Sequence, residues 1–366
     1  MRPFLLRLCL ALSPLPLAGC ANFTDSVGYY WQSVSGHVRL MQAARPVDDW
    51  LADDTTSAAL KARLTLSQRI RQFAVSELHL PDNASYRRYA DLKRTAVVWN
   101  VVAAPELSLT LTTWCFPVTG CVGYRGYFTE ADARAEAAQL QATGLEVSVY
   151  GVPAYSTLGW LNWAGGDPLL NTFINYPEGE LARLIFHELS HQVVFAPGDT
   201  VFNESFATAV ERLGGARWLA TQASAAALAE YTAFNDRRQA FRALTLATRQ
   251  QLAAIYPDSK QNTLSASEKS SALAMKNEVM LAFRQRYAAL KASWDGYPGY
   301  DAWVARANNA AFGAQAAYDD LVPAFEALFD REGRDWLRFY DAARQLAALE
   351  KEARHAALKQ ALSPHH

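Results

Sequence analysis

The chain has 366 residues, 51% hydrophobic and 19% charged, with a formal net charge of −1. Its 35 basic and 36 acidic residues are well mixed, which leaves no basic field for nucleic acid and no polybasic patch for anionic lipid. A chain of this size and apolarity can bury one substantial core or two small ones.

Residues 1–19 read as a secretory signal: Arg2 and Arg7 precede or enter an apolar run, Leu5 to Leu17, too short to cross a membrane comfortably. The run ends in Leu17-Ala18-Gly19-Cys20, which resembles a bacterial lipobox. The resemblance implies cleavage before Cys20, lipid on that cysteine, and anchoring at the periplasmic face; Ala rather than Asp at position 21 favours the outer membrane. The alternative is an ordinary signal with an incidental cysteine. Residues 20–54 are an anchored lead segment with Tyr29, Tyr30 and Trp31. Residues 55–202 read as α+β. The spacing predicts a helix over 55–79, strands over 95–103, 107–116 and 145–152, and a helix over 131–143 stopped by Gly144. Cys115 and Cys121 fit a small disulfide loop in an oxidising compartment, with a metal pair or two free thiols as alternatives. Such a loop would rigidify Tyr124 to Phe128 at the border of a cleft. Residues 203–366 are almost wholly helical by pattern, broken at Tyr256-Pro-Asp-Ser and Asp295-Gly-Tyr-Pro-Gly. Segment 291–302 is expected to loop back towards the cleft. The tail after Trp336, with His355, His365 and His366, is expected to be solvated.

The segment with most chemical content is His187-Glu188-Leu189-Ser190-His191. Residues four apart share a helix face, so the two imidazoles can hold one metal ion while Glu188 takes a proton from water. Pro177, Glu178 and Glu180 suit a helix start, Leu181, Leu184, Ile185 and Leu189 form its buried stripe, and Pro197-Gly198 ends it. A catalytic zinc site needs a third protein ligand. No histidine follows shortly, so a carboxylate is required: Asp199, Glu204 or Glu211. Glu204 suits best, because a second helix opens around it and a short turn brings the two helices together. Glu211 shares its face and can hydrogen-bond a ligand histidine from behind. Without a metal, these residues would be polar helix positions. The order of elements fits an α+β, zincin-like fold: a small N-terminal sheet with helices and a mostly α-helical C-terminal half.

Asn203-Glu204-Ser205-Phe206-Ala207 through Glu211 resembles the N-E-G-F-A-x-x-x-E segment of gluzincin aminopeptidases. There the first glutamate binds zinc and the second supports a histidine, which implies Glu204 and Glu211 for those roles. Twelve residues separate His191 from Glu204, fewer than in the large gluzincins. Stretches 80–86, 97–106, 115–128 and 154–159 also resemble a bacterial family labelled as aminopeptidases, often lipoproteins. The resemblances imply one Zn²⁺ per chain, a peptide substrate and membrane attachment through lipid. An oxyanion donor downstream of the ligands is usual, which makes Tyr297, Tyr300 and Tyr318 candidates; Asn308 and Asn309 either line that pocket or cap turns. Asp167, in Gly165-Gly166-Asp167-Pro168, is a candidate acceptor for a substrate's α-ammonium, or a turn residue. Three functions fit: a zinc aminopeptidase of the envelope, a zinc endopeptidase or amidase there, and a non-catalytic lipoprotein that binds a partner.

Overall fold

The structure, a computed structural model, describes residues 20–116, 120–154, 165–256, 264–315 and 321–362, with side chains from residue 28 onward. Tyr318, His365, His366 and most of stretch 154–159 lie outside the described residues. The lead segment is not an extended tether. It forms helix α1 (Cys20–Ala43), strand β1 (Arg45–Pro46) and helix α2 (Val47–Ala52). Helix α3 (Ala58–Ser76) follows, with Ser57 accepting from Leu60 N as its N-cap.

Next come β2 (Arg88–Ala90), β3 (Val98–Pro105), a hairpin of β4 (Trp114–Phe116) and β5 (Gly120–Val122), and β6 (Arg125–Tyr127). Helix α4 (Glu130–Ala142) then leads through Gly144, at φ +86°, into β7 (Leu145–Val152), and β8 (Leu169–Leu170) completes the strands. The central sheet is antiparallel, ordered β6-β3-β7, with Asn100 opposite Tyr150. A second sheet orders β1-β2-β8. Strand is expected over 107–116, but only Trp114–Phe116 pairs, across from β5. Cys115 and Cys121 face each other in that hairpin and are joined by a disulfide.

Alternation along β3 gives the central sheet two buried faces. Val101 and Ala103 meet α4, while Val102 and Ala104 meet Ala310 of the C-terminal half.

Helices α5 (Glu178–Ser190) and α6 (Thr200–Thr221) pack against each other at the centre of the molecule. Leu181, Ile185, Phe186 and Leu189 of α5 and Phe202, Phe206 and Val210 of α6 are fully buried. Each such side chain contributes roughly 1.5–3 kcal/mol relative to exposure. Helix α5 ends at Ser190, earlier than Pro197-Gly198, with His191 as a C-cap that keeps helical dihedrals (φ −59°, ψ −20°). The four-residue spacing of the two histidines on one face therefore survives.

Long helices α7 (Ala225–Ile255) and α8 (Ala266–Ser293), with α9 (Asp301–Ala305) and α10 (Asn309–Gln315), build a separate aromatic core around Phe241, Phe283 and Phe312. Helices α11 (Val322–Arg331), α12 (Trp336–Ala347) and α13 (Lys351–Lys359) return to the main core. The tail is thus not solvated: Trp336, Phe339, Tyr340 and Ala343 recur at helical spacing and are all buried. The expected division at residue 203 falls inside α6, and the main core draws on residues from Leu40 to Leu358. No helix among the described residues is long and apolar enough to cross a membrane.

Candidate metal centre

His187, His191 and Glu204 bring one ligand atom each to within 4.8 Å of one another. Oε2 of Glu204 lies 3.3 Å from His187 Nε2 and 3.8 Å from His191 Nε2. The turn between the helices is held by Asn203, whose side chain accepts from Ala196 N (2.7 Å) and donates to Ala196 O (2.9 Å). Asp199 caps α6 by accepting from Phe202 N, and its carboxylate meets Arg354 (2.6 Å) and His355 (2.8 Å) of α13. His355, expected in a free tail, and Asp199, a candidate ligand, are therefore engaged with each other.

Behind the donors, Glu211 Oε2 accepts from His187 Nδ1 at 3.0 Å. This orients the ring so that Nε2 is the nitrogen turned towards Glu204, the one it could offer to a metal ion. Glu211 is held in turn by Arg183, which also donates to the Tyr231 hydroxyl (3.3 Å). Arg183 and Tyr231 are not singled out by the sequence, although Arg183 sits four residues before His187 on the same helix face. Burial would raise the Glu211 carboxyl, but Arg183 and then His187 outweigh it and hold it down at about 2.

The electrostatics favour one positive charge at the centre of the donor set. Burial opposes charge on His187, yet Glu204 and Glu211 outweigh it and lift the imidazole well above its ordinary value. His191 goes the other way, to about 4, chiefly by burial. Glu204 is held below its ordinary value because the two imidazoles outweigh its burial. Two imidazole nitrogens and one carboxylate, with no Lys or Arg paired to that carboxylate among the described residues, fit a divalent zinc-type cation.

Glu188 is raised to about 7, mainly by burial, with His187 opposing and Glu204 and Asp167 adding to the rise. It is the one acid of the group poised to exchange a proton near neutrality. Asp167 is 1% exposed. Its backbone accepts from Tyr86 N (2.6 Å) and donates to Ser85 Oγ (3.2 Å). Loop 83–86 is tied to the end of α5 through Asn83, whose side chain donates to Gln192 (2.6 Å). Within that loop Tyr86 is buried at φ +63°, a strained backbone stored beside the site.

Two of the expected oxyanion tyrosines are elsewhere. Tyr300 stacks on Phe241 (4.0 Å between ring centroids), and Tyr297 lies under the Arg237 guanidinium. Tyr300 packs against the aromatic core of α7–α9 and Tyr297 meets Tyr300 edge-on, because Asp301 pins the 295–300 turn to Tyr287 (2.6 Å) and Lys291 (2.6 Å). The acid whose charge reaches Tyr300 is Glu180, two helical turns from His187. Asn308 and Asn309 are likewise structural: Asn308 accepts from Ala311 N, and Asn309 donates to the carbonyls of Pro105 and Glu106.

Two other tyrosines face the donors. Tyr124 follows the disulfide hairpin and Tyr150 lies on β7, both packed on the Val102–Ala104 face of the sheet. Burial first, then the charge of Glu204, raises both phenols; Tyr124 also senses Glu188. Asn100 donates to the Tyr150 hydroxyl at 3.5 Å. Gly120, at the start of β5, rests on the turn between α5 and α6. Gly120 has φ +73°, and a Cβ there would lie 2.9 Å from the Gly198 backbone. The Cys115–Cys121 disulfide thus holds the element that carries Tyr124.

Two helices thus present a donor set that could hold a metal ion, with the carboxyl of Glu188 beside it. Residues 28–358 match the family described as "Putative aminopeptidase", and the chain belongs to that family. No curated protein and no solved structure matches it.

Proposed function

We propose that the protein is a zinc-dependent aminopeptidase of the bacterial envelope, secreted by residues 1–19 and anchored through lipid on Cys20. The observation that carries the reading is the convergence of His187, His191 and Glu204 with Glu188 beside them. A zinc ion held by the three donors would lower the pKa of a bound water to about 7 and polarise the scissile carbonyl. The residues do the rest. Glu188, in its carboxylate form, accepts the proton of the attacking water and passes it to the leaving amine. Tyr124, with its phenol held protonated, is placed to donate a hydrogen bond to the developing oxyanion. Glu211 and Arg183 hold the His187 ring in register.

Exopeptidase action also needs an acceptor for the substrate's α-ammonium. Asp167 is the buried carboxylate on the Glu188 side of the site, close enough for its charge to act on Glu188. The test is metal content by elemental mass spectrometry, paired with hydrolysis of aminoacyl fluorophores with and without chelator. About one zinc per chain with chelator-sensitive release is the expected result. Release from amino-blocked peptides alone would replace the aminopeptidase with an endopeptidase.

A further inference from the structure

Helix α1 carries two apolar faces, and among the described residues only one has a partner in the fold. The inner face packs on the central sheet. Tyr29 stacks against Phe116 (5.5 Å) and meets Tyr127 edge-on (5.6 Å), Gln32 bonds both Gly126 O and Phe128 N, and Leu40 is 2% exposed. The outer face presents Tyr30, Trp31, Val34 and Val38 at 44%, 73%, 59% and 45% exposure. These four fall on one stripe at helical spacing. Over residues 28–43 the only permanently charged side chain is Arg39. A water-facing helix surface would be polar, so an uncharged aromatic and β-branched stripe calls for a cover.

We infer that this stripe lies on the surface of a lipid bilayer. Helix α1 begins at Cys20, the acylation candidate, so the stripe runs on from the anchor itself. Trp31 stands eleven residues along, about 16 Å from the anchored end. A helix leaving the membrane upright would carry Trp31 and Val38 into water; a helix lying flat seats the whole row at the interface, where tryptophan and tyrosine partition well. The helix is not apolar enough to cross the membrane, which suits a surface-lying element. The stripe adds an interfacial attachment to the acyl chains on Cys20 and would fix how the domain is oriented on the bilayer. The sheet then lies between α1 and the metal centre: Tyr29 packs with the face that carries Val101 and Ala103, whereas Tyr124 and Tyr150 pack on the opposite face. The site is thereby turned towards soluble peptides rather than bilayer-embedded chains. This rests on the envelope part of the proposed function, and the test separates the two.

The mature chain carrying Cys20→Ser, and so no acyl group, is floated with vesicles of phosphatidylethanolamine and phosphatidylglycerol. Measurable vesicle binding is expected, weakened about tenfold by Trp31→Ala with Val34→Asp and preserved by Trp31→Phe. Circular dichroism and zinc content should be the same in all three. No vesicle binding by the Cys20→Ser chain, or binding unchanged by the double substitution, overturns the inference. So does a Cys20→Ser chain that sediments as a dimer without vesicles and becomes monomeric on the double substitution, because the stripe would then face a second copy. The mass of the amino-terminal peptide from cells reports acylation separately, so a failed anchor and a failed stripe give different results.

Discussion

The donors at the floor of the site come from one stretch, residues 187–211, whereas the groups facing them, Tyr124, Tyr150 and Asn100, are gathered from a disulfide hairpin and two strands that must first find their register. The floor is local: helical spacing and a short turn set its distances, and the main core buries the helices that carry it. The opposing side is non-local and is held by cross-strand pairing and a covalent staple. A binding site can thus be prepared by local sequence while its catalytic surroundings depend on the tertiary fold.

That contrast is broken most directly at Glu188, which belongs to the floor by sequence but acts in catalysis. Glu188→Gln should lower turnover about 10²–10⁴-fold while zinc content and melting temperature hold. Full activity in that variant would remove the proposed base. Next in size, Glu204→Ala should abolish stoichiometric zinc binding with the fold intact, read by elemental analysis and circular dichroism.

Glu211→Gln sharpens the contrast from behind the floor. It removes the nearer of the two carboxylates paired with Arg183, leaving Glu180 at 3.6 Å, at a cost of about 2 kcal/mol in denaturant unfolding, and weakens zinc binding about 10–100-fold. The pH dependence has a definite sign. Glu211 is held at about 2 against an ordinary 4.5, so the folded state gains from its ionisation above pH 4.5 and loses that gain as pH falls towards 2. The wild type and Glu211→Gln should therefore converge in stability on acidification.

The opposing side gives the smaller effects. Tyr124→Phe should reduce turnover about 10²-fold, with KM and zinc content unchanged. Replacing Cys115 and Cys121 by serine should cost about 2 kcal/mol, set by the short loop that they close, and should lower turnover with zinc still bound. Zinc loss in the disulfide variant would mean that the hairpin sets the floor distances as well.

These differences also explain what could be read from the sequence. The helix over Glu178–Ser190, the pair His187 and His191, and the helix bearing Glu204 and Glu211 all follow from spacing within a few turns. Strand β7 is legible at its full length, but nothing local says that Tyr150 pairs with Asn100 or that Gly120 reaches Gly198. The tyrosine expectation failed for a related reason. The Asp295-Gly296 turn is where its sequence puts it, with both residues at positive φ, but Phe241 and Asp301 draw it into the second core. The tail was misjudged although its periodicity was visible, since Trp336, Phe339, Tyr340 and Ala343 mark a buried helix face.

The contact between Asp199 and the last helix bears on the order in which the protein can mature. Asp199 opens the helix that presents Glu204, and its carboxylate is answered by Arg354, 155 residues further along, and by His355. The chain is made amino end first, so these partners arrive well after the helix that they steady. Until they do, the start of that helix holds a buried carboxylate without its guanidinium. Completion of the site is thereby tied to the synthesis of α13, and a product cut short after Leu349 should bind zinc more weakly in equilibrium dialysis than the 366-residue chain.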